Sequence, residues 1–318
     1  MHIQEIRTVA CLGTGTMGHG IAFLAAKAGY DVRFYGRTSE SLERGMASVK
    51  RAIALYEDND LMPKGRGDEI TDRIQCFTRI EDAAKGADMV MESVVEDLAV
   101  KQHVFAEAER HCKKGALLAT DTSGLSLSAI AAGLKHPEYF LGIHFFTPPY
   151  LMPVVEVCPT GKTQPGVCET GAKWVRSLGN EPVVLEKEMP GLLINRIQAA
   201  CLREALHIVE KGWASAETVD RAIALSLGRR YLVTGPIESA DMGGLDILSS
   251  MLKQLAPTLG QRTDAGPVMQ SALDKGDLGM KTGKGIYDWP QETANARRLA
   301  REQSLIAFLK ADISKKQA

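Results

Sequence analysis

The β-rich run Thr8–Leu12 leads directly into Gly13-Thr14-Gly15-Thr16-Met17-Gly18, and a helical pattern over Met17–Ala28 follows, closed by Gly29. No other feature of the chain restricts its fold so strongly. A GxGxxG match alone is weak evidence, but a strand before it and a helix after it make the unit a βαβ dinucleotide fingerprint. Gly13 permits the tight turn, Gly15 lets the backbone approach a pyrophosphate, and Gly18 lets helix and strand pack closely. The free N–H groups and positive dipole end of the helix then favour phosphate. The stretch Gly13, Thr14, Gly15, Thr16, Met17 and Gly18 is therefore the first candidate cofactor site. The bland alternative is a glycine-rich turn that holds nothing.

The alternation continues. Strands are predicted at Thr8–Leu12, Asp31–Tyr35, Ile74–Phe77, Asp88–Glu92, Ala116–Thr120, Leu141–Phe146, Val154–Cys158 and Pro182–Glu186, with helices at Met17–Ala28, Glu40–Glu57, Val100–Cys112 and Val167–Leu178. Nearly all-apolar strands alternating with helices imply a parallel sheet covered on both faces, the α/β doubly wound Rossmann type. Past Lys187-Glu188-Met189-Pro190-Gly191 the pattern turns helical: Leu192–Val209, Ala216–Leu225, Ile237–Leu255 and Arg298–Ile313, with Gly285–Asp288 the one strand candidate. A length of 318 residues suits two domains. The expected division is a dinucleotide-binding domain over residues 1–188 and an all-helical substrate and dimerisation domain over 189–318, its last residues frayed.

The end of the second strand selects the dinucleotide. NAD-binding chains carry an acid there for the ribose hydroxyls, whereas this chain reads Gly36-Arg37-Thr38. A glycine leaves room for the extra phosphate of NADP and Arg37 can bind it bidentately. This favours NADP over NAD; the alternative is that Arg37 stacks on the adenine of NAD. Further on, His144 ends a strand and Glu156 sits in the apolar run Val154-Val155-Glu156-Val157. A carboxylate there needs a partner, and a His oriented by one can act as a base with its other nitrogen. Ser123, in Asp121-Thr122-Ser123-Gly124, either binds a substrate oxygen or, like Ser126, caps the helix starting near Leu127. Asn195 is an exposed amide or a buried one needing partners. Glu96 and Lys101 either meet the nicotinamide half of the cofactor or are solvated.

Composition excludes other classes. Lys plus Arg is 38 against 39 for Asp plus Glu, a net charge of −1, so no global field favours nucleic acid or an anionic membrane. The six cysteines form no CxxC pair, and most of them are expected to be small core residues. His103, His111 and Cys112 lack tight metal-ligand spacing, so no metal is expected. The stretch Ile21–Ala28 carries Lys27 and is too short to span a bilayer. With no signal-peptide layout at the N-terminus, a cytoplasmic location is expected.

Together these motifs resemble the 3-hydroxyacyl-CoA dehydrogenase family over nearly the full length. The resemblance rests on Gly13–Gly18, Glu92-Ser93-Val94-Val95-Glu96-Asp97, Asp121-Thr122-Ser123, His144-Phe145-Phe146-Thr147-Pro148, Pro190-Gly191-Leu192-Leu193-Ile194-Asn195-Arg196 and Lys281-Thr282-Gly283-Lys284-Gly285. It implies His144 as base, Glu156 orienting it, and Ser123 and Asn195 on the substrate, with Glu96, Lys101, Ser123, Thr147 and Lys281 at nicotinamide-cofactor positions. It also implies a homodimer and hydride transfer between a nicotinamide and the C3 hydroxyl of an L-3-hydroxyacyl-CoA such as 3-hydroxybutyryl-CoA, in fatty acid metabolism. The chain departs from the pattern at Asp121 and Thr147, where the family usually has Asn, and at Gly36, where it has Asp. The basic cluster at Lys50-Arg51 is thin for CoA. The segment Leu227–Pro236 looks more like relatives acting on free hydroxy acids, the gulonate and carnitine dehydrogenases and lambda-crystallin, and Arg229 or Arg230 there can bind a substrate carboxylate. Two rivals remain: the 6-phosphogluconate and hydroxyisobutyrate type, which relies on a lysine in its helical domain, and a non-catalytic, crystallin-like dinucleotide binder.

Overall fold

A computed structural model describes residues 6–317. The strands are β1 (Thr8–Leu12), β2 (Asp31–Tyr35), β3 (Ile74–Phe77), β4 (Met89–Glu92), β5 (Leu117–Thr120), β6 (Phe140–Phe145), β7 (Val154–Pro159) and β8 (Glu181–Val184). They form one eight-stranded sheet in the order β3-β2-β1-β4-β5-β6-β7-β8. Every residue of β4, β5 and β6 is buried, as a sheet covered on both faces requires. The chain order reverses between β1 and β4, so the crevice of a doubly wound sheet opens beyond their carboxyl ends. Leu12 pairs with Glu92, and Glu92 with Thr120, which sets the ends of β1, β4 and β5 side by side.

The sheet is not parallel throughout, as the alternation had predicted. β7 runs antiparallel to β6, with His144 opposite Glu156, and β8 is parallel to β7. No crossover helix separates β6 from β7. A connection over residues 146–153 is enough for an antiparallel return, whereas a parallel one needs a dozen residues or more.

The helices of this region are α1 (Gly18–Lys27), α2 (Ser39–Asp58), α3 (Gly67–Asp72), α4 (Ile80–Ala84), α5 (Leu98–His111), α6 (Leu127–Ile130) and α7 (Val167–Ser177). The short α3 and α4 carry too few apolar positions to show a period. α1 buries Ile21, Phe23 and Leu24 in one core, while Phe105 and Ala108 of α5 pack into a second core on the other face of the sheet. The cysteines do not behave as expected: only Cys11 and Cys158 are buried, Cys76 and Cys201 are exposed, and the other two lie between. Their apolar neighbours belong to amphipathic elements, on which alternate positions face water.

The remaining helices are α8 (Leu192–Glu210), α9 (Ala216–Leu225), α10 (Leu227–Tyr231), α11 (Pro236–Gly243), α12 (Leu245–Leu255), α13 (Gly266–Asp274) and α14 (Gln291–Gln317). The single helix predicted over Ile237–Leu255 is two, because Gly244 takes φ +93°, a left-handed value that breaks the backbone ladder. Gly285–Asp288 is not a strand; its Asp288 makes one isolated bridge, to Lys284. The chain groups into two compact units, residues 6–195 with 302–317 and residues 196–301. The last half of α14 thus belongs with the sheet, where Ile306 is buried in the core beside Leu305 and Leu309.

Candidate active site

β1 ends at Leu12 and the backbone turns through Gly13 at φ +124°. A Cβ on Gly13 would sit 2.5 Å from the Ser93 carbonyl oxygen, and one on Gly18 would overlap the Gly13 carbonyl. A Cβ on Gly15 would meet nothing within 4 Å. Gly13 and Gly18 therefore serve close packing, and Gly15 faces open space. That space is a cleft of about 590 Å³ lined by Gly13–Met17, Tyr35–Arg37, Ser41, Arg44, Ser93–Glu96, Val100, Lys101, Val104, Asp121 and Ser123. Its glycine turn, two arginines and mostly apolar walls fit a nicotinamide dinucleotide.

Of the residues singled out from the sequence, Gly13, Thr14, Gly15, Thr16, Met17, Arg37, Glu96, Lys101 and Ser123 line this cleft. Gly18 lies behind it. Thr147 is outside the lining, its hydroxyl 3.3 Å from the Met17 sulfur. Lys281 belongs to the second unit, where it lines a cavity with Asp220, Tyr287 and Trp289, and Arg229 and Arg230 are exposed on α10 in that same unit. Arg44, Ser41 and Ser93 were not foreseen; Arg44 and Ser41 read in sequence as an ordinary solvated helix face. The side-chain position of Gly36 is not open. A Cβ there would lie 2.6 Å from Ser41 Oγ and 2.8 Å from Thr14 Cγ2, and Ser41 Oγ is already engaged in the Thr38–Ser41 capping box that starts α2.

At one side of the cleft a buried lysine is shared by a buried and an exposed carboxylate. Lys101, 1% exposed, reaches Glu92 Oε1 at 2.7 Å and Glu96 Oε2 at 3.3 Å. Glu92 also accepts from the Thr120 hydroxyl at 2.6 Å and the Val94 amide at 2.7 Å. Burial raises the Glu92 carboxyl despite these partners. Burial also pushes Glu96 upward, but the Thr122 hydroxyl, Lys101 and the Gly124 amide outweigh it and hold the group below its usual range. Glu96 accepts the Ser123 and Gly124 amides at 3.2 Å each, which fixes the loop after β5.

His144 and Glu156 face each other across β6 and β7. The His144 Nδ1 to Glu156 Oε2 distance is 2.7 Å, with His144 5% and Glu156 0% exposed. A carboxylate only accepts, so Nδ1 carries the proton and Nε2 is left with a lone pair. The other carboxylate oxygen accepts the amides of Leu193 and Ile194 at 2.9 Å each. These are orphan donors of the first turn of α8, so one buried acid is satisfied from both sides. Asn195 donates to the Ser123 carbonyl at 3.0 Å. Ser126, not Ser123, caps α6, and Ser123 lines the cleft. Glu188 accepts from Ser126 and Ser128 at the same helix start. Away from the cleft, Glu81, Glu107 and His111 bring ligand-type atoms within 4.8 Å of one another, but Glu107 is already bonded by Arg110 at 2.6 Å. Among the described residues no helix is long and apolar enough to cross a membrane.

Comparison with known proteins identifies the family. Residues 8–189 match the family model "3-hydroxyacyl-CoA dehydrogenase, NAD binding domain", and residues 191–289 match that family's C-terminal domain. The chain is 32% identical over 302 residues to 5-formyl-3-hydroxy-2-methylpyridine 4-carboxylate 5-dehydrogenase of Mesorhizobium japonicum, covering 95% of this chain and 97% of that one. It is 32% identical over 285 residues to 3-hydroxybutyryl-CoA dehydrogenase of Bradyrhizobium diazoefficiens, covering 89% and 96%. A crystal structure of a 5-formyl-3-hydroxy-2-methylpyridine 4-carboxylic acid 5-dehydrogenase, described as an NAD+-dependent dismutase, superposes with a TM-score of 0.88 at 32% identity over 96% of this chain and 99% of that one. With both of its halves matched, the chain belongs to the 3-hydroxyacyl-CoA dehydrogenase family of oxidoreductases and carries that family's NAD-binding domain.

Proposed function

We propose that the protein moves hydride between a secondary alcohol carbon and a nicotinamide dinucleotide, with His144 taking and returning the hydroxyl proton. The observation that carries this reading is the buried His144–Glu156 pair. Its 2.7 Å contact commits Nδ1 to the carboxylate and leaves Nε2 basic. When bound, the dinucleotide supplies the hydride acceptor or donor. The chain's own part is to hold it along Gly13–Met17, to orient the imidazole, and to place Ser123 and Asn195 for the substrate. Replacing His144 by Ala should leave dinucleotide binding nearly intact while turnover falls by ~10²–10⁴-fold, the range of a positioned acid–base group. A folded His144→Ala protein with near-normal turnover would overturn the reading, and a chain with intact binding but no turnover on any hydroxy substrate would be the crystallin-like rival.

On the cofactor, we favour NADP over NAD. Arg37 and Arg44 line one cleft together with Ser41, and no carboxylate stands at the end of β2. Paired guanidinium groups suit a ribose phosphate. The expected result is tighter NADP than NAD binding, with Arg37→Ala weakening NADP more than NAD; a wild-type preference for NAD would reduce Arg37 to stacking on adenine.

On the substrate, the main reading is the C3 hydroxyl of an L-3-hydroxyacyl-CoA. A free hydroxy acid is the second reading. It is favoured by the adjacent Arg229 and Arg230 on exposed α10 and by a relative named for a pyridine carboxylate. Crossing both cofactors with CoA thioesters and free hydroxy acids separates the two. Under the free-acid reading, Arg229→Ala or Arg230→Ala costs roughly ten- to hundredfold in kcat/KM on the acid; equal, small losses on both substrate types would remove the clamp.

A further inference from the structure

Asp121 follows β5 directly, where the resemblance places an asparagine. Its backbone N–H donates to the Glu92 carbonyl at 2.8 Å. Its Oδ1 accepts the Phe145 amide of β6 at 2.7 Å. Among the described residues its Oδ2 has no hydrogen-bond partner. The residue is 9% exposed and lines the cleft, so the little surface it keeps opens there.

Glu92 from β4, Glu96 from the loop after it and Lys101 from α5 act on its charge, and on β6 His144, whose Nδ1 is held by Glu156, directly precedes the Phe145 that Asp121 bonds. Lys101 is the single cation in this set of acids, and two carboxylates already share it. A second buried negative charge beside Glu92, with the exposed Glu96 also drawing on Lys101, would be poorly compensated. Burial first, and then Glu92 and Glu96, drive the Asp121 carboxyl well above its ordinary value, against the Phe145 amide and Lys101. A carboxyl that keeps its proton carries an O–H on Oδ2, the oxygen that the Phe145 amide does not use.

We propose that Asp121 is an uncharged carboxylic acid whose Oδ2 donates a hydrogen bond to a carbonyl oxygen of the molecule held at this end of the cleft. It reproduces what an asparagine would present: an acceptor toward Phe145 and a donor toward the ligand. Unlike asparagine, it loses the donor on ionisation and then turns two acceptors toward that carbonyl. The carbonyl is either the carboxamide of the nicotinamide or the oxidised carbon of the substrate. This inference rests on the dehydrogenase reading above.

The test uses the full-length protein and its Asp121→Asn variant. Binding of NADH and NADPH is followed by fluorescence from neutral to alkaline pH, alone and with a keto substrate analogue present. Wild-type affinity should fall by up to about tenfold per pH unit once the carboxyl ionises, and the Asn variant should remove that fall. A fall already present with dinucleotide alone assigns the contact to the carboxamide; one that needs the keto analogue assigns it to the substrate. Identical pH profiles for the two chains in both arms would overturn the proposal. Carboxyl carbon NMR of the ligand-free protein supplies an independent readout, the Asp121 signal being assigned by its loss in Asp121→Asn. A protonated signal at pH 7 supports the proposal and an ionised one overturns it. If neither dinucleotide binds wild type at any pH, the dehydrogenase reading fails, while the NMR result still decides the protonation state.

Discussion

Glu156 uses its two oxygens for two tasks. One orients His144 and the other satisfies the Leu193 and Ile194 amides at the start of α8. Sequence reading finds the first task, because a lone acid between valines needs a partner. It misses the second, because backbone amides leave no trace in residue identity. The dual role makes Glu156→Gln informative. The glutamine oxygen can serve the amides, but its NH2 group then meets Nδ1 and forces the proton to Nε2. We expect a folded protein whose turnover drops by ~10²–10⁴-fold, measured as kcat beside an unchanged unfolding midpoint. A large loss of stability instead would show that α8 capping dominates. Asp121 gives a stability prediction of opposite character. Its folded carboxyl holds the proton more tightly than the unfolded one, so folding is favoured most below the unfolded value, and that contribution is lost as pH rises toward the folded value. Asp121→Asn removes the loss. Its Tm relative to wild type should therefore climb between about pH 4 and neutrality; a constant difference would contradict the raised value.

Most strands are legible because each is a short apolar run bounded by turn residues. The direction of β7 is not, since apolar periodicity is the same in either sense and only the length of the preceding connection tells them apart. The break at Gly243-Gly244 was equally hidden: glycine permits helix, and whether it ends one depends on the φ it adopts. The end of α14 is the clearest case of tertiary context overriding sequence order. Its register buries Ile306, 7% exposed, in the core of the first unit, with Leu305 and Leu309 packed against that core. This contact is long-range, so no local pattern announces it. Ile306→Ala should destabilise the protein by about 2–5 kcal/mol, the usual range for truncating a buried isoleucine, read by denaturant unfolding. An unfolding change below the resolution of that measurement would show that the end of α14 is dispensable.

Across the whole molecule, apolar exposure is uneven. The sheet's helices bury their apolar faces, but the second unit leaves Ile237 and Met242 of α11 and Leu245, Ile247, Met251, Leu252 and Leu255 of α12 exposed. Ile237 is 86% and Met242 75% exposed. Single exposed leucines need no explanation, but a run of them along two consecutive helices exceeds what a monomer ordinarily leaves in water. With a net charge of only −1, long-range repulsion would not oppose self-association. Closed two-fold pairing is the commonest way to bury such a surface. We therefore expect a homodimer at micromolar concentration by sedimentation equilibrium. Ile247→Glu and Met251→Glu together would place two charges on the α12 face while leaving helix propensity nearly unchanged. The double variant should sediment as a monomer with its helical circular dichroism retained. A wild-type monomer at that concentration would refute the pairing, and a double variant that stays dimeric would move the interface off α12.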